Sequence, residues 1–447
     1  MHDVYAELRW RGLINQTTDD ENLAAWLLAQ RRTVYVGFDP TADSLHVGHL
    51  VALMVLRRFQ KAGHRPIALV GGATGMIGDP SGKSDERNLL SVDVLQANVR
   101  AMGRQLQRFL DFDGGPNSAL LVNNYDWIGK FSFLEFLRDV GKHFPVNIML
   151  AKDSVKSRLQ RSDSGLSYTE FSYMLLQAYD FVHLFRAYGC ELQAGGSDQW
   201  GNITAGIDLG RRLASAQLYG MTCPLLTKTD GSKMGKTESG ALWLDPQRTS
   251  PYKFYQYWIN LADADVGKCL RFFTDLRQEE IAEVESRHAA DPGRREAQRS
   301  LASELTRLVH GAEGLAAAER ATEIFFGAEI RELDDAQLVD IFADVPSKQL
   351  PRARLADAVA GGPADALADA LAGALAGGLS ILDALCESGL TKSKGEARRV
   401  VAEGGAYVNN RRVESADLRL HADALASETV MVLRRGKKNY ALLRFTA

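Results

Sequence analysis

Cysteine is scarce in this sequence of 447 residues, which contains only four. They are Cys190, Cys223, Cys269 and Cys386, so no two lie close enough to form the C-x-x-C pair of zinc or redox sites. The first residues form a polar amphipathic pattern and lack the apolar core of a secretory signal. We therefore expect free, buried thiols and a cytoplasmic protein.

Long apolar runs and the common glycine fingerprints are also missing. No stretch of about 20 apolar residues could span a bilayer, so no membrane partner is expected. No G-x-G-x-x-G occurs, which argues against a dinucleotide site. The sequence G-K-[ST] ends two loops, but the P-loop pattern G-x-x-x-x-G-K-[ST] needs a glycine where Ile77 and Asp230 stand. A P-loop ATPase is therefore disfavoured.

Charge is distributed unevenly along the chain, although the formal net charge is only −3. Residues 391–447 hold 12 Lys and Arg against 6 Asp and Glu, a net charge of +6, which leaves −9 for the preceding 390 residues. A basic tail on an acidic body predicts one local site for a polyanion. A solvated charged surface is the alternative, and charge alone does not decide between them.

Strand-like apolar runs alternate with helical patterns between residues 33 and 220. This order predicts an α/β fold with a Rossmann-like parallel sheet and helical crossovers. The binding site of such a sheet lies at the carboxyl ends of its strands. Polar, glycine-containing segments follow predicted strands at residues 37–44, 71–82 and 195–202. We expect these three segments to build the site.

Four segments follow from composition and periodicity. Residues 1–222 are predicted to form the Rossmann-like domain, and residues 223–330 a loop with two lysines followed by an α-helical domain, whose helical periodicity begins at about residue 245. Residues 331–378 are rich in Ala and Gly, and we interpret them as a linker. Residues 379–447 combine a short helix with strands, which predicts a small α+β domain.

Two histidines fall at the start of a predicted helix. His46 and His49 are three residues apart and therefore share a helix face, near a helix start predicted at Ser44. Helix N-termini attract phosphate, and imidazoles there can donate hydrogen bonds to phosphoryl oxygens. Ordinary packing or a zinc pair are the alternatives, although no further ligands follow at a convincing spacing.

Two lysines lie in a glycine-flanked loop. Lys233 and Lys236 are placed where mobile cations could stabilise a charge that appears only in a transition state. A solvated loop is the alternative interpretation.

A polar stripe runs along an otherwise apolar helical segment. At about 100° per residue, Tyr173, Gln177 and Asp180 share one face. Buried polar groups need partners, so this stripe predicts either satisfied core contacts or a pocket for a polar ligand.

The two signature segments resemble those of the class I aminoacyl-tRNA synthetases. His46-Val-Gly-His49 matches the H-x-G-H signature, and Lys233-Met-Gly-Lys236-Thr237 matches K-M-S-K-S with Gly235 and Thr237 as departures typical of the tyrosine branch. Further segments, such as GGATGMIGDPSGKS, NNYDWIG, EFSYMLLQAYDF and LQAGGSDQWGNITAG, extend the likeness along almost the whole chain. The chain thus resembles the bacterial-type tyrosyl-tRNA synthetases.

The resemblance implies a site for each substrate. Seven side chains would form the tyrosine site: Tyr35 and Asp180 at the phenol, Asp79, Tyr173 and Gln177 at the ammonium, and Gln193 and Gln199 at the carboxyl group and backbone. The ATP and ribose side would be lined by Gly37, Asp39, Gly196 and Asp198. Phosphates would contact Thr41, His46, His49, Lys233 and Lys236, and pyrophosphate would contact Lys83 and Arg87. Magnesium is expected to arrive with ATP, and no protein-bound metal is predicted.

The resemblance also implies macromolecular partners. The tail, residues 379–447, resembles an S4-type RNA-binding domain that would contact tRNA(Tyr) through six cations: Lys392, Lys394, Arg398, Arg399, Arg411 and Arg412. The family forms homodimers, which places an expected interface near residues 127–144. Tryptophanyl-tRNA synthetase is the nearest alternative enzyme, and an RNA-binding protein built on a synthetase body is the alternative from another class.

Overall fold

The computed structural model describes residues 2–81, 90–152, 155–156, 159, 165–237, 240–330, 333–343, 345–355 and 377–446. They form two compact units. The first unit contains Met1–Thr249 and Phe254–Gly311, and the second contains Ser250–Lys253 and Ala312–Ala447. Among the described residues, no helix is both long enough and apolar enough to cross a membrane.

A six-stranded sheet lies at the centre of the first unit. Its strands are β1 (Gln16–Thr17), β2 (Thr33–Phe38), β3 (Arg65–Val70), β4 (Leu120–Asn123), β5 (Cys190–Gly196) and β6 (Tyr219–Cys223). Their order is β1-β6-β5-β2-β3-β4. All neighbours are parallel except β1, which pairs antiparallel with β6. The predicted Rossmann-like α/β fold is confirmed, and β2 and β5 lie side by side at its middle.

Helices connect and cover these strands. In chain order they are α1 (Val4–Arg11), α2 (Leu23–Ala29), α3 (Val47–Lys61), α4 (Thr74–Ile77), α5 (Val92–Leu106), α6 (Tyr125–Ile128), α7 (Phe133–Asp139), α8 (Val146–Ala151), α9 (Tyr168–Tyr188) and α10 (Trp200–Ala214). A parallel sheet is covered on both faces, so its strands are apolar along their length. The sequences of β2 and β3 are continuously apolar for this reason, since most of their residues are buried.

The chain after β6 first forms a small hairpin and then helices. The hairpin strands are β7 (Lys236–Thr237) and β8 (Gly240–Ala241). The helices are α11 (Pro251–Ile259), α12 (Asp263–Phe273), α13 (Gln278–Ala290) and α14 (Glu296–Phe325). Gly311 interrupts α14 with φ 78° and ψ 179°, a conformation that only glycine adopts readily. Helices thus occupy most of the described residues from Pro251 to Phe325.

The second unit contains a five-stranded sheet and short helices. Its elements are α15 (Asp335–Ile341), β9 (Ser347–Pro351), β10 (Leu379–Ser380), α16 (Ile381–Glu387), α17 (Lys394–Ala402), β11 (Ala406–Val408), β12 (Arg411–Arg412), β13 (Arg419–Leu420), β14 (Val430–Arg435) and β15 (Asn439–Thr446). The sheet has the order β12-β11-β14-β15-β9. The predicted small α+β domain is confirmed.

Part of the segment interpreted as a linker belongs to this sheet. Ser347–Pro351 pairs in parallel with β15, an arrangement that the sequence analysis did not predict. The Ala- and Gly-rich residues 356–376 lie outside the described residues. Asn409 and Asn410, with φ 49° and 63°, form the turn between β11 and β12, as expected for asparagine in left-handed geometry.

Candidate active site

A cavity of about 350 Å³ opens at the carboxyl ends of β2 and β5. All seven side chains predicted for tyrosine line it: Tyr35, Asp79, Tyr173, Gln177, Asp180, Gln193 and Gln199. Seven of the residues predicted for ATP line it as well: Gly37, Asp39, Thr41, His46, His49, Gly196 and Asp198. The fold therefore brings these two predicted sets into one space.

One end of the cavity carries a hydroxyl and a carboxyl group. The hydroxyl of Tyr35 is buried and has no hydrogen-bond partner among the described residues. Asp180 is buried in α9, where its Oδ1 accepts from Trp127 Nε1 at 2.8 Å and its Oδ2 accepts from Asn124 Nδ2 at 3.0 Å. A ligand hydroxyl that enters here could therefore pair with both Tyr35 and Asp180.

Burial controls the ionisation of this pair. It raises the pKa of the Asp180 carboxyl to about 8, and the hydrogen bonds from Asn124 and Trp127 counteract that rise. Burial also raises the pKa of Tyr35 well above its ordinary value, so this phenol stays neutral. A neutral ligand hydroxyl would suit this end of the cavity, since it could pair with both buried groups. A buried donor or acceptor that lacks a partner costs free energy.

A network of amides and a carboxylate follows along the cavity wall. Asp79 accepts from the Ser81 N–H at 2.9 Å and from Gln199 Nε2 at 2.7 Å. Gln199 Oε1 in turn accepts from Gln177 Nε2 at 3.3 Å. The Oε1 atoms of Gln177 and Gln193 are buried without a partner among the described residues. Acceptors with free lone pairs beside a carboxylate are what an ammonium group requires.

Asp39 links α9 to the glycine-rich loop after β3. Its Oδ2 accepts from the Tyr173 hydroxyl at 3.0 Å, and its Oδ1 accepts from Thr74 Oγ1 at 2.9 Å. A Cβ atom on Gly71 would lie 2.4 Å from Asp39 Oδ1, so this close approach requires glycine. Tyr173 and Asp39 therefore hold each other in place at the cavity wall.

The two histidines cap α3 reciprocally. The Gly48 N–H donates to Nδ1 of His46 at 3.0 Å, and the His46 N–H donates to Nδ1 of His49 at 3.0 Å. Their rings stack with centroids 3.9 Å apart. Because each Nδ1 accepts a backbone N–H, a neutral ring carries its hydrogen on Nε2. Burial lowers the pKa of His46, which favours the neutral form.

The start of α3 differs from the prediction by about a turn. The helix begins at Val47 rather than near Ser44, so His46 is the N-cap residue. The hydroxyl of Ser44 accepts from the Asp245 N–H at 3.2 Å and is therefore engaged away from the helix. Both imidazoles nevertheless lie at the amino end of α3, where the helix dipole favours anions.

The lysine loop is only partly described. Lys233 is exposed and does not line the cavity. Burial raises the pKa of Asp198 in that cavity, and the charge of Lys233 opposes the rise only slightly. Lys236 begins β7, and its side chain is outside the described part of the structure. Lys83 and Arg87 also lie outside the described residues. The predicted roles of these cations therefore remain predictions.

The middle of this loop is fixed by packing. Met234 is buried, and the Gly235 N–H donates to the Tyr257 hydroxyl at 2.8 Å. Gly235 has φ 79°, and a Cβ atom on it would lie 3.1 Å from Cβ of Val47 in the histidine signature. Glycine at this position therefore allows the lysine signature to pack directly against the histidine signature.

Comparison with known proteins identifies the family. The family described as tRNA synthetases class I (W and Y) matches residues 29–327. The chain belongs to this family. A second match, to the Tyrosine--tRNA ligase SYY-like C-terminal domain, covers residues 372–443. The synthetase therefore has a catalytic domain of the tryptophan and tyrosine class and a C-terminal domain of the tyrosine type.

Individual relatives agree with this assignment. A tyrosine–tRNA ligase from Rhodopirellula baltica is 59% identical over 99% of this chain and 96% of its own. One from Geobacillus stearothermophilus is 49% identical over 99% of this chain and its full length. A C-terminally truncated mitochondrial tyrosyl-tRNA synthetase from Aspergillus nidulans superposes with a TM-score of 0.66 and 34% identity, covering 73% of this chain and 95% of that chain.

These relatives decide between the two synthetase alternatives. A tryptophanyl-tRNA synthetase from Encephalitozoon cuniculi bound to tryptophan is 15% identical with a TM-score of 0.51, covering 69% of this chain and 87% of that one. That likeness concerns the fold alone. The predicted activity is confirmed: the synthetase is an enzyme that ligates tyrosine to tRNA.

The predicted RNA contacts lie on the second unit. All six cations are exposed: Lys392, Lys394, Arg398, Arg399, Arg411 and Arg412. Lys394 pairs with Asp383 at 2.7 Å, and Arg411 pairs with Glu329. Arg398 and Arg399, on α17, form no ion pair with any residue that the structure describes. The structure thus divides the predicted cations into paired and unpaired groups.

Several residues that support the site were not among those predicted for either substrate. Asn124 and Trp127 bind Asp180, Thr74 binds Asp39, and Gln105 binds the segment before His46. Asn124 and Trp127 belong to the NNYDWIG segment, which contributed to the family resemblance. Its polar residues directly after a predicted strand were the available signal.

Proposed function

We propose that the cavity performs both steps of tyrosine ligation. The tyrosine carboxylate attacks the α-phosphorus of MgATP, a P–O bond forms, and pyrophosphate leaves. A ribose hydroxyl at the 3′ end of tRNA(Tyr) then attacks the carbonyl carbon of the tyrosyl-adenylate and releases AMP. The first step needs no protein nucleophile, so positioning and charge stabilisation would provide the catalysis.

The assignment of tyrosine to the cavity rests on buried polar atoms that have no partner among the described residues. The Tyr35 hydroxyl and the Oε1 atoms of Gln177 and Gln193 are buried and have no partner among the described residues. We assign Tyr35 and Asp180 to the substrate phenol. The remaining groups divide between its two other ends: Asp79, Tyr173 and Gln177 would bind the ammonium, and Gln193 and Gln199 the carboxyl end.

Discrimination against phenylalanine follows from the same assignment. Phenylalanine lacks the hydroxyl, so it would leave Tyr35 and Asp180 unpaired in a buried site. Tyrosyl-tRNA synthetases are the standard example of this kind of selectivity, which requires no editing step.

The other end of the cavity fits ATP. The neutral His46 and His49 rings would donate from Nε2 to phosphoryl oxygens at the amino end of α3. Gly37, Asp39, Gly196 and Asp198 would line the nucleoside. Thr41, Lys233, Lys236, Lys83 and Arg87 would contact the phosphates, and magnesium would enter with ATP as part of the substrate.

The basic C-terminal part of the second unit would bind tRNA(Tyr). Residues 391–447 carry a net charge of +6, and phosphate contacts provide most of the electrostatic affinity for RNA. The six exposed cations of that unit are the assigned contacts. We also place the enzyme in the cytoplasm, where its substrates are found.

A homodimer is supported by an apolar surface in the first unit. Phe133 and Leu134 on α7 are 66% and 76% exposed, and Val146, Ile148 and Leu150 on α8 are exposed nearby in the chain. Large apolar side chains concentrated on one segment are typical of protein interfaces. Residues 127–144 are therefore assigned to the contact between two copies.

Two variants test the ATP assignment. In His49→Ala and Lys236→Ala, tyrosine binding should be retained while tyrosyl-adenylate formation slows by about 100-fold or more, as for a lost transition-state donor. Lys228→Ala is the control, because Lys228 lies in the same loop but outside the proposed site. Loss of tyrosine binding in either site variant would show that these residues are wrongly placed.

A further inference from the structure

Gln105, near the end of α5, contacts the segment that leads into the histidine signature. Its side chain is buried at 8% exposure. Oε1 accepts from the Leu45 N–H at 2.8 Å, and Nε2 donates to Ser44 Oγ at 3.2 Å. Nε2 also lies 3.4 Å from Oδ2 of Asp245. One amide therefore joins three chain segments that are far apart in sequence.

The Asp245 segment also touches the histidine signature through the main chain. The Val47 N–H donates to the Leu242 carbonyl at 2.9 Å, and the Leu244 N–H donates to the Leu45 carbonyl at 2.9 Å. The Leu242 N–H donates in turn to the Gly235 carbonyl at 2.8 Å. Residues 242–245 thus lie between the histidine signature and the lysine signature, bonded to both.

Gln105 anchors both sides of this arrangement. Through Leu45 and Ser44 it fixes the residues directly before His46, and through Asp245 it reaches the segment bonded to the lysine loop. Gln105 does not line the cavity, so it would not touch substrate. Any contribution to the reaction must therefore act through the placement of other residues.

We propose that Gln105 is a positioning residue for tyrosyl-adenylate formation, which sets the His46 end of α3 against residues 242–245, the segment hydrogen-bonded to the lysine signature. This role rests on the proposed function of His46 at the phosphates. Without the amide, the Leu45 N–H loses its acceptor and the loop before His46 can shift. A displacement of about 1 Å at a catalytic group can slow a reaction roughly 100-fold.

The chain offers a closely matched control in Gln60, near the carboxyl end of α3. Gln60 is 9% exposed, and its Oε1 accepts from the Asp111 N–H at 2.9 Å. Its Nε2 donates to the carbonyls of Asp111 at 2.7 Å and Asn117 at 3.1 Å. At about 1.5 Å per residue, it lies roughly 20 Å along α3 from His46. Replacing either glutamine removes a similar set of hydrogen bonds, but of the two only Gln105 adjoins the histidine signature.

The test compares Gln105→Met with Gln60→Met in the full-length enzyme. Three quantities are measured: the pre-steady-state rate of adenylate formation, the dissociation constant for tyrosine, and the urea midpoint of unfolding. We expect Gln105→Met to slow adenylate formation roughly 10- to 100-fold while its tyrosine dissociation constant stays within about twofold. Gln60→Met should lower the urea midpoint to a similar extent and keep the wild-type rate.

A paired substitution adds a rescue. Gln105→Glu should slow the reaction because two carboxylates then face each other at Asp245. In the double variant with Asp245→Asn, the new amide can donate to the new carboxylate, so most of the lost rate should return. A double variant that is no faster than Gln105→Glu would contradict the proposed contact.

His46→Ala, measured alongside, separates the two proposals. If His46→Ala slows adenylate formation and Gln105→Met does not, the positioning role of Gln105 is overturned while the function of His46 stands. If His46→Ala keeps the wild-type rate, the assignment of His46 to the phosphates is wrong and the role of Gln105 falls with it. If Gln105→Met and Gln60→Met slow adenylate formation equally, Gln105 has only a structural role.

Discussion

Trp127 donates a hydrogen bond from its indole Nε1 to Oδ1 of Asp180, with 2.8 Å between the two atoms. The second carboxyl oxygen accepts from Asn124. Burial raises the pKa of Asp180 to about 8, and these two donors counteract that rise and hold the carboxyl group in place. Because we assign Asp180 to the substrate phenol, we expect the indole to support tyrosine recognition without lining the cavity.

Replacing this tryptophan should weaken tyrosine recognition selectively. In Trp127→Phe, Asp180 loses one donor, and a hydrogen bond within a protein contributes about 0.5–1.5 kcal/mol. We expect KM for tyrosine to rise roughly two- to tenfold in ATP–pyrophosphate exchange, with KM for ATP unchanged. Trp26→Phe is the control, since Trp26 packs at a tilt against Tyr219 and neither residue lines the cavity. An unchanged KM for tyrosine would show that the indole plays no part in tyrosine recognition.

Removing the Tyr35 hydroxyl should have different effects on stability and binding. This hydroxyl lines the cavity and has no partner among the described residues, so its removal breaks no hydrogen bond to them. Tyr35→Phe should therefore weaken tyrosine binding several-fold and leave the free energy of unfolding nearly unchanged, which is a different effect on each quantity. Urea unfolding and equilibrium dialysis measure the two quantities.

Tyr440 provides the matched comparison. Its hydroxyl lies 3.2 Å from the Ile324 carbonyl oxygen and 3.1 Å from Asn410 Oδ1, so it has partners. Tyr440→Phe should destabilise the protein and leave tyrosine affinity unchanged. If Tyr35→Phe loses as much stability as Tyr440→Phe, hydrogen-bond pairing does not explain the behaviour of Tyr35.

The parts of the site that follow local sequence patterns were predictable. Glycine-rich segments after apolar runs located the ends of β2, β3 and β5, and helical periodicity placed Tyr173, Gln177 and Asp180 on one face. These features depend on residues that are near one another in the chain. The α/β fold followed from the same alternation of strands and helices.

Contacts between distant segments were not predictable in this way. Trp127 and Asp180 are 53 residues apart, and Gln105 and Leu45 are 60 apart. Ser347–Pro351 forms a strand by pairing with β15, which would otherwise lie at the edge of the sheet. A polar or short apolar segment does not specify its partner, so the supporting contacts emerge only when the chain is folded.

His310 should make the enzyme sensitive to acid. Burial, with a smaller contribution from Arg108, lowers its pKa from 6.5 to about 4, so the folded protein binds the proton less readily than the unfolded chain. The free energy of unfolding therefore has its full value above pH 6.5. It falls by about 3 kcal/mol in all as the pH is lowered toward 4. His310→Phe should reduce this loss when urea unfolding is compared at pH 7.5 and pH 5, since roughly the upper half of this pH range lies between the two conditions.

The same variant should also be more stable near neutral pH. Both ring nitrogens of His310 are buried without a partner among the described residues, and the ring packs edge-to-face on Phe254. Phenylalanine keeps this packing and removes the unpaired nitrogens. Some acid sensitivity should remain, because burial also lowers the pKa of His64 to about 4. An unaltered dependence of stability on pH would exclude His310 as its source.

Unpaired cations on α17 should contribute more to tRNA binding than paired ones. Arg398 and Arg399 form no ion pair with the described residues, whereas Asp383 already neutralises Lys394. Replacing Arg398 or Arg399 by Ala should weaken tRNA(Tyr) binding and lower the slope of log K against log salt by about 0.7–0.9 per lost phosphate contact. Filter binding at several salt concentrations measures this slope.

Lys394→Ala is the matched control on the same helix. Its ammonium must first leave Asp383 before it can contact a phosphate, so its removal should change affinity and salt slope less. ATP–pyrophosphate exchange should stay at the wild-type level in all three variants, because α17 lies in the second unit and the cavity in the first. Equal slopes for Lys394→Ala and Arg398→Ala would mean that ion pairing within the domain does not select its RNA contacts.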